Sequence, residues 1–319
     1  MAQCLDWFRY VGHHATAIGK EYYLMPMGTT RPDYVVVGHC ALDLQPDGSF
    51  LPGGTVLYSA LTAARMGMRA AILTAGDPAA LAAALAPFRD AFDLHVIPTA
   101  ATTTFENIPT PEGRKQTLHA WSGPIEPGAL PARWRNPTVL HLGPIAAELP
   151  PDRWAAALTT IIQADWPIAT PQGWLRRWGP LPSHVRHETL VLPDMLLKKL
   201  RAMVISVEER DAANGALRQV AAHAYGAITD GPHGVDILYG GHTTRVQTFP
   251  VTIRDETGAG DVFAAAWAVQ LARGDTPEAA ARVACGVAAL SITAPGPNGI
   301  PTAAAIAKLL ATHADAAPE

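Results

Sequence analysis

An α/β fold, a mostly parallel sheet covered by helices on both faces, is predicted by three observations. Short β-branched runs closed by glycine recur along the chain, the first being Tyr34-Val35-Val36-Val37-Gly38. Unbroken apolar runs of this kind suit strands buried on both faces. Between them lie capped segments with helical spacing, and strands alternating with helices argue for crossover connections. The 319 residues are also 49% hydrophobic and only 16% charged, below the roughly 25% of an average globular chain. Disorder is thereby excluded for the bulk of the chain, and one large domain or two modest ones fit the length.

Taken in order, residues 34–37 form the first strand. A turn-rich stretch follows, Gln45-Pro46-Asp47-Gly48 and then Pro52-Gly53-Gly54. Thr55 is placed to cap a helix running to about Met66, with Gly67 where a left-handed terminal residue belongs. Residues 69–74 read as a second strand, and Asp77-Pro78 starts a helix to about Phe88. Residues 95–97, 102–108 and 115–121 alternate rather than run, which predicts a small β-rich excursion from the main sheet, a lid. Strand–helix alternation resumes with 138–142 and a helix near 152–163. A strand at 203–206 leads to a helix from Val207, and 225–229 and 235–239 are further strands. Residues 262–273 form a helix ended by Gly274. Asp275-Thr276-Pro277-Glu278 then caps the next one, with proline at its first position and an acid in its first turn.

Charge and cysteine content narrow the function classes. Lys plus Arg is 24 against 28 for Asp plus Glu, a formal charge of -4, so no basic excess points to nucleic acid. Cys4, Cys40 and Cys285 are far apart and form no CxxC pair, which reads as a reducing, cytoplasmic protein. The longest strongly apolar stretch, 262–272, is too short for a bilayer, so no membrane partner is expected. His13, His14 and His119 lack metal-site spacing, and Trp174 and Trp178 are expected to pack on a surface helix.

The most informative segment is Asp255-Glu256-Thr257-Gly258-Ala259-Gly260-Asp261. Two glycines flank an alanine just before a long apolar helix, so main-chain N–H groups at a helix start are little obstructed. Such a terminus has unpaired donors and a positive dipole end, and it attracts anions. Asp261 in the first turn is poorly suited to mere anion storage. It makes sense as a base beside donors that hold a developing negative charge, although a glycine turn with Asp261 as a helix cap fits the spacing equally well.

Thr257-Gly258-Ala259-Gly260-Asp261-Val262-Phe263 resembles the C-terminal signature of the ribokinase-like (PfkB) carbohydrate kinases. Gly53-Gly54 before a helix ending at Gly67 resembles that family's N-terminal glycine signature. Thr229-Asp230-Gly231-Pro232-His233-Gly234 is similar to its nucleotide loop. The resemblance implies a ribokinase-like three-layer sandwich at residues 34–319, with lid elements near 43–53 and 95–121. Residues 1–33 are left as an N-terminal extension of unknown role. It implies transfer of the ATP γ-phosphoryl group to a hydroxyl of a sugar or sugar-like molecule. Asp261 would be the base, and the amides of Gly258, Ala259 and Gly260 the anion hole. By the same resemblance Asp43, Gly53, Gly54 and Tyr58 bind the acceptor, and Thr229, Gly231 and Gly234 line the nucleotide. Glu209 orients water around Mg2+, and Asp255 belongs to a monovalent-cation loop of the kind that takes K+. A homodimer is left open. Two positions depart from the family pattern: Tyr58 and Ser206 stand where asparagines are usual. A nucleoside or inositol kinase, or a catalytically silent small-molecule binder of the same fold, therefore remains an alternative.

Overall fold

The computed structural model describes residues 23–24, 31–110 and 113–312. Cys4, His13 and His14 lie outside them. A ten-stranded sheet forms the centre of the molecule. Its parallel strands run Phe92–Pro98, Ala70–Gly76, Tyr34–Val37, Val139–Leu142, Trp166–Ala169, Ala202–Ser206 and Tyr225–Thr229 across the sheet. Val235–Tyr239 and His242–Val246 add an antiparallel edge. At the other edge Tyr23–Leu24 pairs antiparallel with Phe92–Pro98. Part of the stretch set aside as an extension thus belongs to the sheet.

The residues explain the layering. Tyr34 to Val37 are all fully buried, and successive side chains point to opposite faces. Tyr34 and Val36 enter one core with Leu61, Phe263 and Trp267, while Val35 and Val37 enter the other with Trp134, Trp154 and Leu196. Each such side chain contributes on the order of 1.5–3 kcal/mol on burial. The helix Ala259–Ala272 is apolar on all sides, so it lies inside, between Thr55–Arg65 and Pro277–Ser291. A helix clamped by two others holds its first turn in a fixed place.

Strand order reverses between Tyr34–Val37 and Val139–Leu142. Ligand crevices in open α/β sheets lie at such switch points, beyond the carboxyl ends of the strands. A second sheet stands over that end, in the order Ser183–His184, Gly113–Ala120, Thr104–Thr110, Ala41–Leu44, Phe50–Gly53. Residues 95–97 do not join it: they lie within Phe92–Pro98 of the main sheet, where their alternation reflects a position near the sheet edge. Ala41, Phe105 and Leu118 seat the small sheet on Ile145 and Ala146.

Where the chain passes between the sheets its backbone is pinned. His39 Nδ1 and Thr103 Oγ1 share a hydrogen bond (2.7 Å), and the Thr103 and Ser122 N–H groups each donate to the other residue's hydroxyl (2.8 and 3.0 Å). Glu148, fully buried, accepts N–H bonds from His39, Ile145 and Ala146 at 2.7 to 3.0 Å. A buried carboxylate is tolerable only with such donors around it. No helix among the described residues is long and apolar enough to cross a membrane.

Candidate active site

The first turn of Ala259–Ala272 opens into a cavity of about 650 Å³. Its floor is the carboxyl ends of three parallel strands, represented by Thr170, Ser206 and Thr229. Gly258, Ala259, Gly260 and Asp261 form one wall, Gly231 and Gly234 another, and Glu208 and Glu209 a third. The lining also includes an apolar group, Phe249, Val251, Ile253, Cys285 and Ala289. Cys285 is 4% exposed there, and burial pushes its thiol up to about 12.

Gly258 is the N-cap of the helix and is left-handed, φ +79°. A side chain there would also overlap the Tyr58 ring. Tyr58 is 4% exposed, so its ring is a platform beneath the glycine turn. Its phenol ionisation is pushed up by burial first and then by the charges of Asp255, Asp261 and Asp43. The Ala259 N–H reaches the Glu256 carbonyl at 3.2 Å, a long bond that a charged acceptor can take over. Gly260 N–H belongs to the same first turn, whose amides precede the regular run of intrahelical bonds. A Cβ at Gly260 would meet nothing within 4 Å, so this is where the turn is open.

Asp261 is held from below. Thr55 Oγ1 donates to Asp261 Oδ1 (2.8 Å), and Gln172 Nε2 donates to Thr55 Oγ1 (2.7 Å) and weakly to the same Asp261 oxygen (3.4 Å). Arg176 Nη2 donates to Gln172 Oε1 (2.9 Å). Beneath these, Tyr34 and His141 Nδ1 share a bond (2.8 Å), and His141 Nε2 meets Thr170 Oγ1 (3.0 Å). Burial pushes His141 down to about 3, so this imidazole is neutral.

Asp43 and Gly53, expected to bind the acceptor, lie on neighbouring strands of the small sheet, and Gly54 follows directly. Asp43 accepts from Asn107 Nδ2 (3.0 Å), whose oxygen accepts from Gln116 Nε2 (2.8 Å). A Cβ at Gly53 would stand 2.6 Å from Asp43 Oδ2, and one at Gly54, φ +90°, would stand 2.6 Å from the His39 carbonyl. Gly53 therefore allows close passage of the chain at Asp43, and Gly54 at the His39 carbonyl. Glu209 faces the cavity, and its Oε2 accepts the Ser206 N–H (2.9 Å) in a reciprocal cap opened by Ser206. Burial raises its pKa. Among the described residues no cluster of three or more ligands could cage a metal. Asp255 braces two loops, accepting N–H bonds from Thr257 (2.9 Å) and Gly296 (2.8 Å).

Thr55, Gln172 and Arg176 are site residues that the sequence pattern did not single out. Thr55 reads there as a helix cap. Gln172 follows a strand, Trp166–Ala169, that Pro167 disguises. Trp174 and Trp178 are not on one surface helix: Gln172–Leu175 is a single turn, and Trp174 is 4% exposed with its Nε1 donating to the Leu149 carbonyl (2.7 Å).

Comparison with known proteins agrees with this architecture. Residues 199–303 match the pfkB family carbohydrate kinase profile. Ribokinase of Bacillus subtilis is 44% identical over 84 residues, 26% of this chain and 29% of that one. The bifunctional protein HldE of Bradyrhizobium diazoefficiens is 36% identical over 110 residues, 34% of this chain and 22% of that one. The chain thus matches less than a third of the length of these curated relatives. Among solved structures, a sulfate complex of a pyrophosphate-dependent kinase in the ribokinase family superposes with a TM-score of 0.71 at 20% identity, covering 83% of this chain and 96% of that one. Arabidopsis thaliana ribokinase complexed with ribose and ATP gives 0.67 at 17%, covering 88% and 99%. These likenesses show the fold: a ribokinase-like sandwich with a small second sheet.

Proposed function

We propose that this ribokinase-like chain, with its pfkB carbohydrate-kinase segment at residues 199–303, transfers the terminal phosphoryl group of ATP to a hydroxyl of a neutral, hydroxyl-rich small molecule such as a sugar. The observation that carries the reading is the open helix turn at Gly260, set beside a base that is itself held by Thr55. Asp261 takes the acceptor proton as the oxygen attacks, and the turn's N–H groups stabilise charge on the phosphoryl oxygens. Little else is required, because phosphoryl transfer is mostly positioning and electrostatics.

The cavity favours a nucleotide donor. Structural relatives include a pyrophosphate-dependent kinase complexed with a pyrophosphate analog and myo-inositol. An apolar group formed by Phe249, Val251 and Cys285 is what a nucleobase needs and pyrophosphate does not. Thr229, Gly231 and Gly234 line the same cavity, where the donor phosphates would pass. Gly234, φ +92°, crosses so close to the Val246 carbonyl that a side chain would clash.

Mg2+ fits without a protein cage, since it is usually held by donor phosphates, water and one or two carboxylates. Glu209, reinforced by Glu208, would hold it through water, and the ion would neutralise charge on the donor phosphates. Asp255 would offer its remaining lone pairs to a monovalent cation. On the acceptor side, Asp43, Asn107 and Gln116 present an acid and two amides, a set that binds hydroxyl groups. Neutral sugars and inositols suit it equally.

The test is ATP-dependent phosphorylation across sugars, inositols and nucleosides, with and without Mg2+. Asp261→Asn is expected to lower turnover at least about 10²-fold with ATP affinity little changed. Near-normal turnover in that variant removes Asp261 from its role. Tight binding of a polyol without any phosphorylation supports the silent binder instead.

A further inference from the structure

One permanent cation stands in the cavity, and the reading above gives it no part in the transfer. Arg176 is 6% exposed and is the one lysine or arginine among the described residues lining the site. Its Nη1 donates to the Ile145 carbonyl (2.7 Å) and its Nη2 to Gln172 Oε1 (2.9 Å). Its guanidinium carbon lies 5.4 Å over the Phe105 ring of the small sheet. The group is therefore fixed by the floor of the site and stacked by the roof. Through Gln172 and Thr55 it is linked to Asp261 on one side. On the other side its charge favours the ionised form of Glu209. The same lining carries Glu208, Glu209, Glu256 and Asp261, so a polyphosphate entering it meets a surplus of acids. A fixed, oriented cation between base and metal-side acid is where that repulsion can be offset.

We propose that Arg176 binds the terminal phosphoryl group of the donor and keeps hold of it as it passes to the acceptor. This rests on the kinase reading. The bond from the β–γ bridging oxygen to the terminal phosphorus breaks, and the bond from the acceptor oxygen to that phosphorus forms. The acceptor's proton goes to Asp261, and the diphosphate leaves with the electron pair. Arg176 stays protonated throughout, and its planar fork suits phosphate oxygens better than a lysine would.

The test uses the full chain as wild type, Arg176→Ala and Arg176→Lys. Each is titrated with ATP and with AMP, which lacks the terminal group, and each is assayed for turnover. Arg176→Ala is expected to bind ATP at least about tenfold more weakly, to bind AMP as wild type does, and to lose about 10²–10³-fold in kcat. Millimolar guanidinium should restore part of that rate, which a merely structural arginine would not allow. Arg176→Lys should keep more ATP affinity than rate. Equal losses for ATP and AMP overturn the assignment and leave Arg176 as a brace for Gln172. Unchanged ATP affinity and kcat overturn it as well. If Arg176→Ala does not fold, Arg176→Lys carries the same comparison. A wild type whose Arg176 selects ATP over AMP, yet which phosphorylates no alcohol, overturns the kinase reading and leaves this contact standing.

Discussion

Gly258→Ala and Gly260→Ala probe the same turn and should fail in opposite ways. At Gly258 the backbone is left-handed, φ +79°, and a methyl would overlap the Tyr58 ring. Holding a non-glycine residue in that region costs on the order of 1–3 kcal/mol. Forcing the buried ring aside costs about 1–3 kcal/mol more. Together these approach half of a typical folding stability, a drop on the order of 3–9 °C in melting temperature for a chain of this length. Gly260 is different, because its Cβ would enter open space. Alanine is the better helix former by up to about 1 kcal/mol, so the melting temperature should hold or rise slightly. That methyl would nevertheless occupy the proposed approach of the phosphoryl group, and a displacement of about 1 Å costs roughly 10²-fold in rate. Thermal melts and ATP-dependent turnover of both variants decide the matter. Wild-type turnover in Gly260→Ala refutes the placement of the phosphate, and a wild-type melting temperature in Gly258→Ala refutes the account of the turn.

Two further outcomes follow from the support beneath Asp261. Thr55→Val keeps the shape but removes the donor to Asp261 Oδ1 and the acceptor of Gln172 Nε2; it should cost about 1–3 kcal/mol in stability and about tenfold in kcat, with ATP affinity unchanged, as measured by steady-state kinetics and urea titration. His141 offers a pH test. Its native pKa of about 3 lies below the ordinary 6.5, so the unfolded chain binds a proton that the native chain refuses. The resulting stability is fully present above about pH 6.5 and is lost as the pH falls toward about 3. His141→Asn removes that dependence, so the wild-type advantage in urea midpoint should shrink from pH 7 to pH 4. A constant advantage would show that the imidazole is not held neutral.

The parts of the site legible in the sequence were those written in consecutive residues. Gly258-Ala259-Gly260-Asp261 announces an open helix turn with an acid in it, and the runs at 34–37 and 225–229 announce buried strands. What escaped is long-range or short. Thr55 and Asp261 are 206 positions apart, and no local pattern records that one holds the other. Trp166–Ala169 is four residues with a proline inside, so its strand character comes from neighbours on both sides rather than from its own propensity. Ser183–His184 joins the small sheet by pairing with Leu118 and Thr117, and two residues carry no periodicity at all. Phe92–Pro98, next to the edge pair Tyr23–Leu24, reads as lid in the sequence because a partly wet strand alternates wherever it lies.

The lacing of His39, Thr103 and Ser122, tied down through Glu148, has a mechanical consequence. A canopy stitched along one seam can tilt but cannot slide, so its free margin travels farthest while the stitched line stays still. Asn107 and Gln116 lie farther along the small sheet from that seam than Phe105, which is stacked on Arg176 and stands opposite Asp43 in the strand register. Small rotations would therefore carry Asn107 and Gln116 farther than Phe105 and the guanidinium stacked on it. If the acceptor binds as proposed, the rim of the small sheet could adjust to its girth while the contact between Phe105 and Arg176 keeps one geometry.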